Sequence, residues 1–505
     1  MLLSKKIIGK IKSDEIEKPV DDCFSLSEKV LQFGTGVLLR GLPDYFIDKA
    51  NKKKIFNGRV VVIKSTETGG ADSFEKQDSL YTVCVRGIED GKNVNENIIN
   101  GSISRLISAK NNWKEVLNCA DDKNMQIVIS NTTEVGLTLM KENVHASPPE
   151  SFPGKLLAFL YRRYQVFGGD ASKGMVIIPT ELIPNNADKL LSILRELALY
   201  NNMETAFINW LENANQFCNS LVDRIVPGKL NNIEHQKTEA KNGYEDELMI
   251  MAEPYRLWAI ESLSEKVKEI LSFAEADKGV VIVPDITIFR ELKLRLLNGS
   301  HTLSCGLAHL AGFTTVKEAM SDNSFENYIK DLMLTEIAPS ITTDNLSIAQ
   351  ANDFAAKVLD RYRNPYIEHQ WLSITMQYSS KMHMRNIPTL KNYVQRFNHA
   401  PEHIALGFAA YLSFMKPVAV HDNKYFGEAN GKEYFINDEK AAYYYEAWKS
   451  NDIDTVVKNI LSDQKLWGDD LILISGFEKS VRNYLHQLMN QGAKKALQGI
   501  NEMNK

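Results

Sequence analysis

Cysteine is scarce in this chain of 505 residues, and the few that occur are not arranged for cross-linking or metal binding. The five cysteines are odd in number and widely scattered, and no Cys-x-x-Cys pair is present. Disulfide frameworks and zinc fingers both need clustered cysteines. We therefore expect reduced, buried thiols, as in cytosolic proteins, at Cys23, Cys84, Cys119, Cys218 and Cys305.

The chain also lacks a long apolar run, a secretory signal and a surplus of positive charge. Its longest apolar run, Ile404–Met415, is too short to cross a bilayer and predicts a core helix. The basic N-terminus has no continuous apolar stretch followed by a cleavage site. The net charge of −5 gives no sign of a nucleic-acid surface. These absences predict a cytoplasmic protein that binds neither membranes nor nucleic acids.

The patterns along the chain change character near residue 287, and the chain is too long for one hydrophobic core. Before that point, short β-branched runs alternate with amphipathic helical segments, which is typical of an α/β fold with a mainly parallel sheet. Beyond it the patterns are helical. We therefore predict an α/β domain over residues 1–287 and a mostly α-helical domain over 288–505, with a ligand cleft between them.

The first strong strand ends in a glycine turn, "QFGTGVLLRG", that opens a helix. Gly34 and Gly36 would let the backbone close tightly and approach a pyrophosphate, as in a Rossmann-like dinucleotide site. The third glycine of that fingerprint is absent, since Leu39 stands in its place and Arg40 follows. The residues leave two interpretations open, a dinucleotide site and a simple tight turn. The position after the first strand of an α/β domain favours the dinucleotide.

The second strand ends without the acidic residue that usually reads the ribose of a dinucleotide. Lys64 stands at that end, and Glu67 follows three residues later. Lys64 would favour a 2′-phosphate, whereas Glu67 would accept hydrogen bonds from a free ribose. At the level of the residues the choice between NAD and NADP stays open.

A lysine, an asparagine and a histidine occur together in the otherwise apolar segment "KLRLLNGSH". At about 100° per residue of an α-helix, Lys293, Asn298 and His301 lie at about 0°, 140° and 80°, so they share one side. We expect burial among leucines to lower the pKa of Lys293, which would suit it as a general acid/base. Asn298 and His301 can both donate hydrogen bonds to one oxygen. The triplet therefore suits interconversion of an alcohol and a carbonyl beside a nicotinamide.

The same triplet has a plainer interpretation, in which the three are ordinary core and surface residues of one helix. Their convergence with the glycine turn is what favours catalysis. A metal site is not expected, because no pair of ligands has the i, i+4 spacing of a zinc-binding helix.

Lys-x4-Asn-x2-His on the first helix of a helical domain resembles the signature of the long-chain mannitol dehydrogenase family, which works without metal. The glycine turn, with a bulky third position followed by arginine, is similar to that of the family. "SNTTE" at 130–134 and "FCNSLVDRIVPG" at 217–228 resemble its nicotinamide-side and substrate-side segments. The resemblance covers nearly the whole chain. Within the family, "QDSLYTVCVRG", "IIPTELIPNNADKL" and "YRNPYIEHQWLSI" look most like the tagaturonate reductases, also called altronate oxidoreductases.

This resemblance implies a metal-independent, NAD-dependent oxidoreductase with a Rossmann-like first domain. It implies that Lys293 is the acid/base and that Asn298 and His301 bind the reacting oxygen. Asn186 and Asp223 would contact the substrate. Along the cofactor it places Phe33, Gly34, Thr35, Gly36, Arg40, Glu67, Asn131, Thr133 and Glu134.

The resemblance further implies reversible reduction of D-tagaturonate to D-altronate, a step of hexuronate catabolism. A uronate carries a carboxylate, which needs a cationic partner. The candidates are Arg363, His369, Lys381 and Arg385, and solvated helix charges are the alternative for each.

Three alternatives to this activity stay open. The same chemistry could act on fructuronate, or on mannitol or a hexitol phosphate. A protein of another class would bind the dinucleotide without catalysis. In each case we expect a monomer or a small homo-oligomer with a small-molecule ligand.

Overall fold

The computed structural model describes residues 1–65, 71–132 and 136–503. The chain divides into two compact units: the first comprises Met1–Arg86 and Asn93–Ile286, and the second comprises Gly87–Lys92 and Thr287–Lys505. Within the described ranges, no helix has both the length and the apolarity that a bilayer span needs. All five cysteines are buried free thiols, which confirms that prediction.

Three β-sheets lie mainly in the described residues of the first unit. Their strands are β1 (Ile16–Glu17), β2 (Glu28–Phe33), β3 (Arg59–Lys64), β4 (Tyr81–Glu89), β5 (Lys92–Asn100), β6 (Ile103–Ser108), β7 (Ile127–Ser130), β8 (Val176–Pro179), β9 (Gln216–Phe217), β10 (Ser220–Asp223), β11 (Ile250–Ala252), β12 (Leu257–Glu261) and β13 (Val280–Val283). The end of β4 and the first residue of β5 are assigned to the second unit. A four-stranded sheet has the order β1-β5-β4-β11, and a three-stranded sheet has the order β10-β12-β13.

The largest sheet has six strands in the order β6-β3-β2-β7-β8-β9, and its strand pairs are all parallel. Its strands are nearly continuous apolar runs, such as "RVVVIK" in β3, because both faces of the sheet are covered. Successive residues alternate between two cores, with Val60 and Val62 in one and Val61 and Ile63 in the other. The α/β class predicted from the sequence is confirmed.

The strand order of this sheet reverses beside β2, which has β3 on one side and β7 on the other. Open α/β sheets bind ligands at the carboxyl ends of their strands at such a point. Phe33, the last residue of β2, pairs with Ile63 of β3 and Ser130 of β7, so the ends of the three strands are level. The glycine turn that follows Phe33 therefore lies at the expected ligand edge.

Helices connect and flank the strands of the first unit. The α-helices are α1 (Lys5–Ile8), α2 (Val37–Gly41), α3 (Pro43–Lys52), α4 (Ala71–Lys76), α5 (Trp113–Asn118), α6 (Phe152–Val166), α7 (Asn186–Tyr200), α8 (Thr205–Asn213), α9 (Asn232–Asn242) and α10 (Glu265–Ile270). The helix after the glycine turn is broken at Leu42, and Pro43 begins α3, a position that proline favours.

The second unit is mostly α-helical, as predicted. Its α-helices are α11 (Thr287–Leu292), α12 (Ser300–Leu310), α13 (Val316–Ala319), α14 (Asn323–Asp331), α15 (Ala338–Ile341), α16 (Ile348–Tyr362), α17 (Trp371–Ile374), α18 (Tyr378–Phe397), α19 (Glu402–Phe414), α20 (Ala441–Trp448), α21 (Ile453–Leu461), α22 (Gln464–Trp467), α23 (Phe477–Gln491) and α24 (Ala493–Met503). Two segments are π-helical, Lys293–Gly299 and Leu332–Ile337.

The core of the second unit forms around α19, against which α12 and α23 pack. Nearly every side chain of α19 is buried, because its sequence is apolar on all sides. The predicted core helix at this apolar run is confirmed.

A three-stranded antiparallel sheet in the second unit was missed by the sequence analysis. Its strands are β14 (Ala419–His421), β15 (Lys424–Ala429) and β16 (Lys432–Phe435). Asp422-Asn423 and Asn430-Gly431 join them, and all four residues have positive φ, as two-residue hairpin turns of the I′ type require. The Asn-Gly dipeptide is the signal that could have revealed this sheet.

Candidate active site

The catalytic helix predicted from the sequence is not a regular α-helix. The α-helices α11 and α12 flank a π-helical turn, Lys293–Gly299. The i→i+5 register of a π turn brings residues five apart one above the other, whereas an α-helix would separate them by about 140°. Lys293 and Asn298 are five apart, so we expect the π turn to bring them nearer to one side of the helix than an α-helix would. Such turns occur frequently at functional sites.

His301, in the first turn of α12, is buried with only 8% of its surface exposed. Its Nε2 atom is buried and has no hydrogen-bond partner among the described residues. Burial holds the pKa of His301 well below its ordinary value, and positive charge on neighbouring His369, Arg361 and Arg385 lowers it further. A neutral imidazole with an unused nitrogen suits a ligand that offers a hydrogen-bonding oxygen.

Lys293 and Asn298 are both half-buried, so each side chain can contact a ligand while part of it packs against the protein. The backbone carbonyl of Asn298 accepts hydrogen bonds from Thr302 Oγ1 at 2.8 Å and from Arg385 Nη1 at 3.4 Å. These bonds fix the backbone of the π turn at Asn298.

Three of the four cations predicted to bind a carboxylate lie near His301. The ring of His369 is 5.3 Å from that of His301, and Arg385 donates to Thr302 one residue along the helix, at 3.0 Å. Lys381 precedes Arg385 by one turn of α18 and donates to the Ile374 carbonyl at 3.0 Å.

These cations disfavour one another. Burial lowers the pKa of Lys381, and the charge of Arg385 lowers it further. Burial likewise lowers the pKa of His369, with a smaller contribution from Lys381. An anionic ligand would relieve both the mutual repulsion and the loss of hydration. The arrangement therefore favours a negatively charged group.

The fourth cation, Arg363, is engaged elsewhere in the second unit. Its Nε donates to Glu326 at 2.6 Å, and its Nη1 lies 3.5 Å from Asp360. Two carboxylates already neutralise this guanidinium, so it is a poorer partner for a ligand than the other three.

The glycine turn of the first unit has the backbone geometry that its sequence predicts. Gly34 has φ +128°, and a Cβ there would lie 2.9 Å from Leu39 Cδ1 and 3.0 Å from the Asn131 carbonyl oxygen. Only glycine fits at this position. Gly36 has φ −60° and is exposed, and no atom of the described residues lies within 4 Å of the place where a Cβ would be. Open space beside an exposed backbone is what a dinucleotide phosphate needs.

The residues on either side of Gly34 differ in their accessibility. Phe33 is buried, and its ring lies 5.1 Å from that of Phe152 in the core of the first unit. Thr35 is half-buried between the two glycines. Of the predicted cofactor contacts, Glu67, Thr133 and Glu134 lie outside the described residues.

A buried carboxylate that the sequence analysis missed organises the ends of β7 and β8. Glu181, the second residue after β8, accepts from Thr132 N at 2.8 Å and from Ser130 Oγ at 3.1 Å. Asn131 donates to the carbonyl and hydroxyl oxygens of Thr180 at 3.1 and 3.0 Å. This network fixes the strand ends beside the glycine turn, and an acidic residue two positions after a buried strand was the available signal.

Arg40 is buried beneath the glycine turn. Its Nη1 donates to the Leu248 carbonyl at 2.6 Å, and its guanidinium lies 5.3 Å from the ring of Tyr81. Tyr81 in turn donates to the Arg40 carbonyl at 2.9 Å. We interpret Arg40 as an anchor of the turn. Lys64 is also buried, at the end of β3.

Asn186 and Asp223, predicted to contact substrate, are both buried in the first unit. The Asn186 side chain accepts from the backbone N–H groups of Ala187 and Ser220, both at 3.0 Å. It therefore ties the start of α7 to β10, and Asp223 is the last residue of β10. The amide of Asn186 also donates to the carbonyls of Pro179, Glu181 and Ser220.

Comparison with known proteins matches both parts of this chain to one family. Residues 28–271 match the family described as "Mannitol dehydrogenase Rossmann domain", and residues 285–489 match "Mannitol dehydrogenase C-terminal domain". Altronate oxidoreductase of Bacillus subtilis (strain 168) is 38% identical over 477 residues, covering 93% of this chain and 95% of the relative. Altronate oxidoreductase of Bacteroides thetaiotaomicron is 32% identical and covers 98% of this chain and 100% of the relative.

Solved structures share the fold. Pseudomonas fluorescens mannitol 2-dehydrogenase, in ternary complex with NAD and D-mannitol, is 21% identical with a TM-score of 0.68, covering 99% of this chain and 100% of that one. A substrate-free D-sorbitol dehydrogenase is 19% identical with a TM-score of 0.80, covering 98% and 100%. The two matched regions and the near-complete relatives lead to one conclusion: this chain belongs to the mannitol dehydrogenase family of oxidoreductases.

Proposed function

We propose that this protein is an NAD-dependent oxidoreductase that reversibly reduces the keto group of D-tagaturonate to give D-altronate. The observation that carries the proposal is the buried Nε2 of His301, which has no hydrogen-bond partner among the described residues. His301 follows directly on the π turn that contains Lys293 and Asn298, and burial holds its pKa well below the ordinary value. The near-complete relatives named altronate oxidoreductase, at 38% and 32% identity, support this substrate class.

Each residue of the triplet has a distinct role in the proposed reduction. Asn298 and His301, the latter in its Nε2–H tautomer, donate hydrogen bonds to the keto oxygen and stabilise the negative charge that develops there. Lys293, as an ammonium, delivers a proton to that oxygen. In the reverse direction Lys293 as an amine removes the hydroxyl proton. The reduced nicotinamide, when bound, supplies the hydride.

The glycine turn would hold the dinucleotide. Gly36 leaves open space for a phosphate, and Gly34 lets the chain pass close to Asn131. We prefer NAD to NADP because Lys64 is buried, and a buried lysine is poorly placed to meet a 2′-phosphate. The neighbouring mannitol 2-dehydrogenase with bound NAD is in keeping with this choice.

The carboxylate of the uronate would meet Lys381 and Arg385, with His369 beside them. A guanidinium can hold a carboxylate through two hydrogen bonds, and the paired cations of α18 offer the charge. Arg363 is left out of this subsite because Glu326 and Asp360 neutralise it.

A substrate panel tests the proposal directly. The full-length protein is mixed with NADH and, separately, with D-tagaturonate, D-fructuronate, D-fructose and a ketohexose phosphate, and the loss of NADH absorbance is followed. We expect the highest kcat/KM with D-tagaturonate. A preference for the uncharged or phosphorylated ketose would overturn the substrate assignment, and NADH binding without oxidation of NADH across the panel would overturn the enzymatic one.

A further inference from the structure

We infer that Tyr362 is a positioning residue of this active site, whose hydroxyl holds the π turn and whose ring holds His301. Tyr362 is the last residue of α16 and is buried. The inference rests on the proposed function for its kinetic consequences, whereas its structural consequences can be measured without turnover.

The hydroxyl of Tyr362 satisfies a carbonyl of the π turn. It donates to the Leu297 carbonyl at 2.9 Å, and its oxygen lies 2.8 Å from Ser300 Oγ. Ser300 Oγ is also 2.5 Å from the Leu296 carbonyl. A shift from the α to the π register changes which N–H each carbonyl meets, so side-chain donors at these positions stabilise the shifted register. Each hydroxyl has one proton, so Ser300 shares its proton between Tyr362 and Leu296.

The ring of Tyr362 covers one face of the catalytic imidazole. The two rings are stacked, with centroids 4.1 Å apart and planes 18° apart. His369 and Trp371 meet the His301 ring edge-on, at 5.3 and 5.9 Å. Because Nε2 of His301 has no hydrogen-bond partner among the described residues, packing on its faces and edges has to keep that nitrogen aimed at a ligand.

One residue thus links the two geometric requirements of the site. The π register brings Lys293 and Asn298 towards one side of the helix, and the ring stack orients His301. Loss of the hydroxyl should disturb the first requirement alone, and loss of the ring should disturb both. This separation makes the inference testable with two substitutions at one position.

The chain offers a matched control in Tyr434. Its hydroxyl also donates to a helix carbonyl, that of Phe414 at 2.8 Å, and its ring also contacts a histidine of α12, His309 at 4.6 Å. Tyr434→Phe therefore removes the same chemical group from a buried tyrosine of β16 that contacts α12 about two turns beyond His301. It should cost a comparable amount of stability without touching the π turn.

The kinetic test compares Tyr362→Phe, Tyr362→Leu and Tyr434→Phe with D-tagaturonate and NADH. We expect kcat to fall about tenfold for Tyr362→Phe, the effect of one lost hydrogen bond, with KM nearly unchanged. For Tyr362→Leu we expect a loss of about 100-fold, because small displacements of reacting groups have effects of that size. Tyr434→Phe should keep the kcat of the parent. Parent-like kcat in both Tyr362 variants would overturn the inference.

A second measurement works without turnover. With histidines labelled in the imidazole ring, NMR follows the ten histidines through a pH titration, and His301→Asn assigns the signal of interest. In the parent and in Tyr362→Phe the His301 signal should titrate far below the ordinary range, because the ring still covers the imidazole. In Tyr362→Leu it should move towards the ordinary range. An unmoved His301 titration in a folded Tyr362→Leu would refute the role of the ring, even if D-tagaturonate proved to be the wrong substrate. Should Tyr362→Leu fail to fold, kcat of Tyr362→Phe against that of Tyr434→Phe decides the inference.

Discussion

Gln32 donates a hydrogen bond to Asp44 at 3.2 Å in the interior of the first unit, and the same amide lies 3.4 Å from the Gly34 carbonyl. Burial raises the pKa of Asp44 from 3.8 to about 7, although the Gln32 hydrogen bond opposes the shift. A titrating carboxyl therefore sits one side chain away from the glycine turn.

This carboxyl predicts how stability depends on pH. Between pH 3.8 and about pH 7, Asp44 keeps a proton in the folded chain that it has released in the unfolded chain. The resulting stabilisation of the folded state is full below pH 3.8 and is lost as the pH rises towards 7. Asp44→Asn removes this dependence. Its free energy of unfolding relative to the parent should rise by up to about 1.4 kcal/mol per pH unit in that window. Urea unfolding at several pH values measures it, with exposed Asp353→Asn as the flat control. Parallel pH profiles for Asp44→Asn and the parent would contradict the prediction.

Lys293→Ala tests proton transfer. Because the proposed role is confined to the chemical step, kcat should fall by at least about 100-fold while NADH affinity, measured by fluorescence titration, stays the same. Lys391→Ala is the control, since Lys391 is an exposed lysine of the second unit paired with Asp469. Turnover by Lys293→Ala at the rate of the control would remove the acid/base from the proposal.

His301→Asn tests the oxygen-binding role. Removal of one donor from such a site lowers kcat by about 100-fold or more. Because burial holds the pKa of His301 well below its ordinary value, protonation of this residue should not limit kcat/KM near neutral pH. The pH profile of the variant should therefore keep the shape of the parent's profile at a lower level. An acidic limb near the ordinary histidine pKa that vanished in His301→Asn would contradict a neutral His301.

Substitution of the cations tests the carboxylate subsite. Arg385→Gln and Lys381→Met should each lower kcat/KM for D-tagaturonate by about tenfold or more, because hydrogen bonds to charged groups are strong. The ratio of kcat/KM for D-tagaturonate to kcat/KM for D-tagatose, the same ketose without the carboxylate, should fall as well. Arg363→Gln is the control, since Glu326 and Asp360 already neutralise that guanidinium. An equal loss with both sugars would place these cations outside the carboxylate subsite.

We expect opposite effects on stability and NADH affinity when each of the two glycines of the turn is replaced by alanine. Gly34→Ala forces a side chain into a positive φ and against the Asn131 carbonyl, so stability should fall by about 1–3 kcal/mol. Gly36→Ala has φ −60° and meets no atom of the described residues, so the melting temperature should be unchanged. NADH affinity should nevertheless drop, because the added methyl occupies the proposed phosphate space. Thermal unfolding and NADH titration separate the two effects. Parent-like NADH affinity in Gly36→Ala would move the phosphate elsewhere.

Local patterns predicted the regular parts of this structure well. The runs of β-branched residues indicated buried parallel strands, and the apolar run at Ile404–Met415 indicated a core helix, because burial on all sides leaves a direct record in the sequence. The antiparallel sheet of the second unit was missed because its strands are short and partly exposed.

The π turn could not be predicted from local sequence patterns, for a different reason. Its register is stabilised by the hydroxyl of Tyr362, which lies 65 residues from Leu297 along the chain. The burial of Arg40 shows the same limit, because its Nη1 donates to the Leu248 carbonyl, 208 residues away along the chain. Its contact with the cofactor stays a prediction. The cytoplasmic location and the oligomeric state stay predictions from the sequence.

A helix that widens by one residue over a single turn has a further consequence for how this site can change over time. Exchanging side chains within Lys293–Gly299 leaves the register intact, whereas excising one residue would restore the ordinary winding and rotate the amine away from the amide. A deletion of one residue would therefore affect the chemistry of the second unit more than its packing. Insertion of one residue into the corresponding straight helix of a related fold would have the opposite effect and create the π turn.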